Sequence, residues 1–165
     1  RELAHYIPIK KYSVHLSSKP NSHTMNNWLR YWTSKLPKGN QIIFYDRSWY
    51  SRGLVQKING WCSDEQYLSF MKNVQRWENK KNVKFIKFWL SISEETQERL
   101  IEKRKSSPLT SWKFSPNDER ALSYFDQMTL LKERVITTTE NWNVIDYNDK
   151  KKGRLDLITR LVDLI

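Results

Sequence analysis

Short runs rich in β-branched and aromatic residues alternate along this chain with stretches of helical periodicity, and nothing else in the sequence narrows the fold so far. The clearest strand candidates are Ile9 to Leu16, Gln41 to Tyr45 and Val83 to Ile92, with Asn143 to Asp146 a shorter fourth. Such alternation predicts an α/β fold in which helices cover both faces of a parallel sheet. The 165 residues are enough for one domain with a real core and too few for two of ordinary size, so a single domain is expected.

Helix starts are marked by their capping residues. Ser63 with Gln66 forms a capping box ahead of Tyr67, Phe70, Met71 and Val74, and Ser93 precedes Glu94 and Glu95, whose charges suit the positive end of a helix. Ser115 followed by Pro116 opens a long helical segment through Leu122, Phe125, Met128, Leu131 and Val135. A last helix is predicted from about Asp149 to Ile165, where Leu155, Ile158, Leu161, Val162 and Ile165 recur at helical spacing and are expected to pack on the sheet. Pro37-Lys38-Gly39-Asn40 reads as a turn into a strand, and Lys105 to Ser111 as a mobile loop.

Chemistry concentrates where Ile42-Ile43-Phe44-Tyr45 meets Asp46-Arg47-Ser48-Trp49-Tyr50-Ser51-Arg52. This reads as a buried strand that delivers an acid and two arginines to one point. A carboxylate at the carboxyl end of a central strand is where nucleotide-binding α/β proteins hold Mg²⁺, the Walker B position, and arginines suit phosphate oxygens. An uncompensated Asp46 would be costly; Mg²⁺ is one compensation, and a structural ion pair with Arg47 or Arg52 is the other. Trp49 and Tyr50 are expected to be packing residues.

A second basic group, Arg99, Lys103, Arg104 and Lys105 followed by Trp112-Lys113, abuts the mobile loop. It could form a lid that closes cations over an anion, or simply a solvated face. Lys150-Lys151-Lys152 with Arg154 is read as a solvated helix end. Across the chain 29 Lys and Arg outnumber 18 Asp and Glu, leaving a net charge of +11, so a polyanionic partner is expected. His5, His15 and His23 lack metal-ligand spacing, and no zinc site is expected. Cys62 is the only cysteine, which excludes an internal disulfide and fits a reducing compartment. No apolar run approaches the roughly 20 residues of a membrane span, and a soluble cytoplasmic protein is expected. None of Gly39, Gly53, Gly60 and Gly153 belongs to a phosphate-cradling G-x-x-x-x-G-K-[ST] loop.

The Asp46 to Arg52 string with Gly60-Trp61-Cys62 is followed by Lys87-Phe88-Trp89-Leu90-Ser91-Ile92-Ser93. Then come Pro108-Leu109 with Trp112-Lys113-Phe114-Ser115-Pro116-Asn117-Asp118, and finally Val144-Ile145-Asp146 with Asp149-Lys150 and Arg154-Leu155. In order and spacing, from about Ile9 to Ile165, this series resembles the polyphosphate kinase 2 family. The resemblance implies a P-loop kinase fold with a helical lid, similar to thymidylate kinases. It implies transfer of phosphate between inorganic polyphosphate and a nucleoside mono- or diphosphate, so that the partners are polyphosphate and nucleoside mono-, di- or triphosphates, with Mg²⁺ as cofactor.

By position the resemblance implies Asp46 as the Walker B acid and metal ligand, with Arg47 and Arg52 as phosphate contacts, in a segment at 41–52. It implies Arg104 as the arginine of a lid at 99–118 that reaches the transferring phosphate, with Lys103 and Lys113 binding substrate. It also implies a homo-oligomer; neither membrane nor nucleic acid is an expected partner. Family members carry Asn at Ser51, Ala-Gly at Gly53-Leu54 and Glu at Gln56. Their Walker A loop would precede Ile9 by a helix, so the fold is expected to be N-terminally incomplete and these 165 residues nearly inactive alone. The competing expectation is a degenerate relative that binds polyphosphate or nucleotide without catalysis.

Overall fold

The computed structural model describes residues 11–17 and 19–165. Their contacts group into two compact units, one reaching to Phe85 and including Thr137–Glu140, the other made of Ile86–Ile136 and Asn141–Ile165. The first unit runs β1 (Tyr12–Leu16), α1 (Ser22–Asn26), α2 (Trp28–Thr33), β2 (Ile42–Asp46), a 3₁₀ turn (Trp49–Arg52), α3 (Val55–Ile58) and α4 (Asp64–Asn79). The second runs β3 (Lys87–Ser91), α5 (Glu94–Ser106), a 3₁₀ turn (Ser111–Lys113), α6 (Pro116–Ser123), α7 (Phe125–Thr138), β4 (Trp142–Asp146) and α8 (Lys150–Leu164), the end of α7 belonging to the first unit.

Strand and helix alternate as the pattern predicts, and the strands pair in parallel. Among the described residues, however, they form two two-stranded sheets instead of one continuous sheet. β1 and β2 pair from Tyr12 with Ile42 to Leu16 with Asp46. β3 and β4 pair from Lys87 with Trp142 to Ser91 with Asp146. The predicted strand at Val83 to Ile92 shortens to Lys87–Ser91 because β4 offers it only five partners. Ile9 and Lys10 of the first predicted strand lie outside the described residues. β2 is also less enclosed than a buried strand, with Ile42 and Asp46 exposed and the residues between them half-buried.

The core of the first unit is aromatic. Trp32, almost wholly buried, stands edge-on to Trp28, Tyr31, Tyr45 and Trp49, with ring centroids 5.6–5.7 Å apart. Such edge-to-face pairs add roughly 0.5–1.5 kcal/mol beyond area burial. His15 joins the cluster 5.1 Å from Trp32, and burial, then the Lys35 ammonium, lowers its pKa from 6.5. The unfolded chain therefore binds more protons than the folded one just below that value, so the stability His15 contributes is complete above it and lost as pH falls through it. The melting temperature is expected to drop between about pH 7.5 and about pH 5.5, and His15→Phe to flatten that drop.

The long helix predicted after Pro116 is broken at Tyr124, whose backbone (φ −110°, ψ 8°) ends α6 before α7 begins. The apolar spacing continues across the break, which is why periodicity alone does not reveal it. At α8 and its C-cap the prediction of packing on the sheet is corrected for three residues: Leu155 and Val162 in the helix and Ile165 after it are 68%, 62% and 83% exposed. The close approach is made at Gly153, the buried residue of α8. A Cβ there would stand 2.4 Å from Tyr147 Cδ2 and 2.7 Å from the Asp146 carbonyl oxygen, and a backbone oxygen cannot swing away. Gly153→Ala is expected to lower stability by about 2 kcal/mol despite the better helix propensity of alanine, read as a shifted urea midpoint.

Candidate active site

Asp46 occupies the last position of β2, where its carbonyl oxygen accepts a hydrogen bond from Ser17 N at 3.3 Å. Its place is fixed by the aromatic residues around it. Tyr45 donates its hydroxyl to Lys35 O at 2.6 Å, and burial pushes that hydroxyl's pKa up to about 12. Trp49 and Tyr50 are buried, as packing residues should be. The Trp49 indole donates to Glu78 Oε1 at 2.8 Å, and its carbonyl oxygen accepts from Trp28 Nε1 at 2.8 Å. The backbone around Asp46 is thus tied into the packed aromatic cluster, while the residue itself is exposed.

Arg47 follows with φ of +62°, a left-handed conformation that a long side chain adopts only against about 1 kcal/mol of strain. It is held there by reciprocal bonds to the end of β1: Arg47 Nη2 donates to Ser17 O at 2.5 Å, and Ser17 Oγ donates to Arg47 O at 3.0 Å. Neither Arg47 nor Arg52 forms an ion pair with Asp46, which has no ion-pair partner among the described residues. Because Asp46 is exposed, water solvates its charge, and the structural ion pair weighed for it is absent among the described residues. Among the described residues there is no group of three His, Cys, Asp or Glu able to hold a metal. A lone exposed carboxylate fits Mg²⁺, which takes one or two protein carboxylates and fills its shell with phosphate oxygens and water.

Arg52, expected to contact phosphate, is buried and bonded within the first unit. It is 1% exposed, its guanidinium lying 4.9 Å from the Trp28 ring. Nη2 donates to Met25 O at 2.7 Å and Nη1 to Gln66 Oε1 at 3.2 Å, so the side chain ties the 3₁₀ turn to α1 and α4. Burial, partly offset by Cys62, lowers its pKa from the ordinary arginine value. Gln66 also closes the expected capping box with Ser63, accepting from Ser63 N at 3.0 Å. Gln56, where relatives by resemblance carry Glu, is buried as well. An amide there avoids burying a charge.

The predicted lid residues lie in the second unit. Lys103, Arg104 and Lys105 form the last turn of α5, where cations also complement the helix dipole. Arg104 Nη1 is paired with Asp118 Oδ1, and Thr110 Oγ1 donates to Arg104 O at 3.2 Å. Lys105 lies over Phe114 and Lys113 over Trp112, whose indole donates to Leu109 O at 3.1 Å. Lys103 is exposed, and Leu109 and Trp112 are apolar residues left largely in solvent.

Sequence reasoning missed Asp118 as a partner of Arg104, although Ser115 and Asp118 three residues apart signal a capping box. It also missed an open cleft of about 560 Å³ whose lining includes Ser91, Asp146, Asn148 and Arg160. The cleft sits at the carboxyl ends of β3 and β4, the edge where parallel sheets present polar side chains.

Comparison with known proteins bears on the family and the fold. The sequence model of the family described as Polyphosphate kinase 2 matches residues 2–165. NDP-polyphosphate phosphotransferase 2 of Ruegeria pomeroyi is 31% identical over 174 residues, covering 95% of this chain and 51% of that protein. GDP-polyphosphate phosphotransferase of Pseudomonas aeruginosa is 34% identical over 167 residues, covering 91% and 47%. The chain spans about half the length of these curated relatives. A crystal structure of a polyphosphate kinase 2 from Pseudomonas aeruginosa matches in fold with a TM-score of 0.87 at 24% identity, over 98% of this chain and 36% of that one. One from Arthrobacter aurescens gives 0.87 at 19% identity, over 98% and 61%. With a family match over nearly every residue and the same fold in solved members, the chain belongs to the polyphosphate kinase 2 family.

Proposed function

We propose that the protein transfers phosphate between inorganic polyphosphate and a nucleotide, with Asp46 as its metal-holding acid. The observation that carries the reading is the Asp46 carboxylate, exposed at a strand end with no ion pair among the described residues although two arginines follow within six positions. Relatives named as NDP- and GDP-polyphosphate phosphotransferases supply the substrate classes. Mg²⁺ bound at Asp46 would add positive charge against phosphate oxygens.

The chain's own residues orient and neutralise the anions. Arg47 keeps Nε and Nη1 for a phosphate oxygen while Nη2 holds Ser17. Arg104, Lys103 and Lys113 offer cations to phosphate in the second unit. Arg52 is proposed to act differently from Arg47: buried and bonded, it fixes the turn after Asp46 without touching phosphate.

Ligand-induced stabilisation tests the reading without requiring turnover. Mg²⁺ with tripolyphosphate, or with ADP or GDP, is expected to raise the melting temperature of the protein, and Asp46→Ala to abolish the part that depends on Mg²⁺. A melting temperature indifferent to Mg²⁺ plus every phosphate ligand would count against a metal-and-phosphate site.

A further inference from the structure

The Asp118 carboxylate makes three contacts that bear on the arginine beside it. Its Oδ2 accepts from Ser115 N at 2.9 Å and from Ser115 Oγ at 2.8 Å, and Ser115 Oγ in turn accepts from Asp118 N, closing the capping box of α6. Its Oδ1 is paired with Arg104 Nη1 at the end of α5. The capping box uses Oδ2 alone, so Oδ1 is spent on the guanidinium and not on the helix. The Asp118 side chain is 16% exposed and the Arg104 side chain 43%. A mostly covered carboxylate thus grips an arginine that still reaches solvent, and Ser115 grips the carboxylate from behind.

An arginine this close to the end of a helix would otherwise sample many rotamers, and a phosphate ligand would have to immobilise it. Clamped at Nη1, Arg104 has lost that freedom in advance, while Nε and Nη2 have no partner among the described residues. The planar fork allows this division of labour, because separate nitrogens serve the clamp and the ligand. We propose that Asp118 is a positioning residue that presets the Arg104 guanidinium for phosphate. The inference rests on the reading of Arg104 as a phosphate contact. The Asp118 charge also offsets part of Arg104's attraction for distant anions. Removing that charge should therefore loosen geometry without weakening capture, which separates kcat from KM.

The test is the phosphate-transfer kinetics of the full-length protein with polyphosphate and ADP or GDP, as Asp118→Asn, Arg104→Ala and the double variant. Asparagine keeps the shape of aspartate and an oxygen for the Ser115 cap. Asp118→Asn is expected to lower kcat by about tenfold to a hundredfold with the KM for polyphosphate unchanged or lower. Arg104→Ala should fall at least as far, and in its background the asparagine should add less than about twofold. A loss from Asp118→Asn that is as large with alanine at 104 as with arginine would overturn the inference, as would full kcat in Asp118→Asn beside an impaired Arg104→Ala. Should Asp118→Asn fail to fold, Asp118→Glu decides: glutamate keeps the charge and a capping oxygen but displaces the carboxylate from Nη1, so a fall in kcat that disappears in the Arg104→Ala background supports the clamp and unimpaired kcat refutes it. Unchanged kinetics in Arg104→Ala, or no transfer by the unmutated protein, would refute the reading of Arg104 itself and the inference with it.

Discussion

Replacing Asp46 by asparagine is expected to reduce phosphate transfer by about a hundredfold or more, with the melting temperature held within about two degrees. The two halves of this expectation have separate causes. The activity half follows from the proposed metal-holding role: the carboxylate is exposed at the end of β2, beside the packed aromatic residues Tyr45 and Trp49. Phosphoryl transfer depends on placed charge more than on covalent chemistry, so loss of one placed charge reaches the rate directly. The stability half follows from what Asp46 lacks. Its side chain is exposed and unpaired among the described residues, and its backbone bond to Ser17 survives the change. Had Asp46 been paired with Arg47 or Arg52, the same substitution would have cost stability. Parallel kinetic and thermal measurements on one preparation separate the two.

Arg52→Leu carries the opposite signature. It is expected to lower stability by about 3 kcal/mol, seen as a fall in urea midpoint, because the bonds to Met25 O and Gln66 Oε1 and the stacking on Trp28 go together. Leucine cannot fill the volume of the guanidinium, which adds a cavity term. Arg52→Lys should recover little of this, since one ammonium cannot span both acceptors and keep the contact with the Trp28 ring. A protein that keeps its urea midpoint on losing Arg52 but loses affinity for phosphate would restore the role that the family resemblance implies for this residue.

How far the sequence reveals this protein depends on the kind of interaction concerned. Local signals are legible: the capping boxes at Ser63 and Ser115, the cap at Ser93 and the strand ending in Asp46 are each written within a few consecutive residues. The packing role of Trp49 and Tyr50 is legible too, because large aromatics act mostly through buried area. Arg52 is not, since arginine is rarely buried and its acceptors, Met25 and Gln66, lie 27 and 14 positions away. The Asp118 clamp on Arg104 spans 14 positions and hides behind a capping signal that accounts for Asp118 by itself. The split into two strand pairs escapes the sequence for a related reason: alternation fixes the type of elements and leaves open which edges meet. On α8, helical spacing of Leu155 and Val162 reveals a common face and not whether that face is covered.

The most direct test of the central claim follows phosphate by ³¹P nuclear magnetic resonance in a mixture of the full-length protein, polyphosphate, a nucleoside diphosphate and Mg²⁺. Formation of nucleoside triphosphate at the expense of polyphosphate, dependent on Mg²⁺ and lost in Asp46→Asn, is the predicted result. Transfer that continues undiminished in Asp46→Asn would contradict the account.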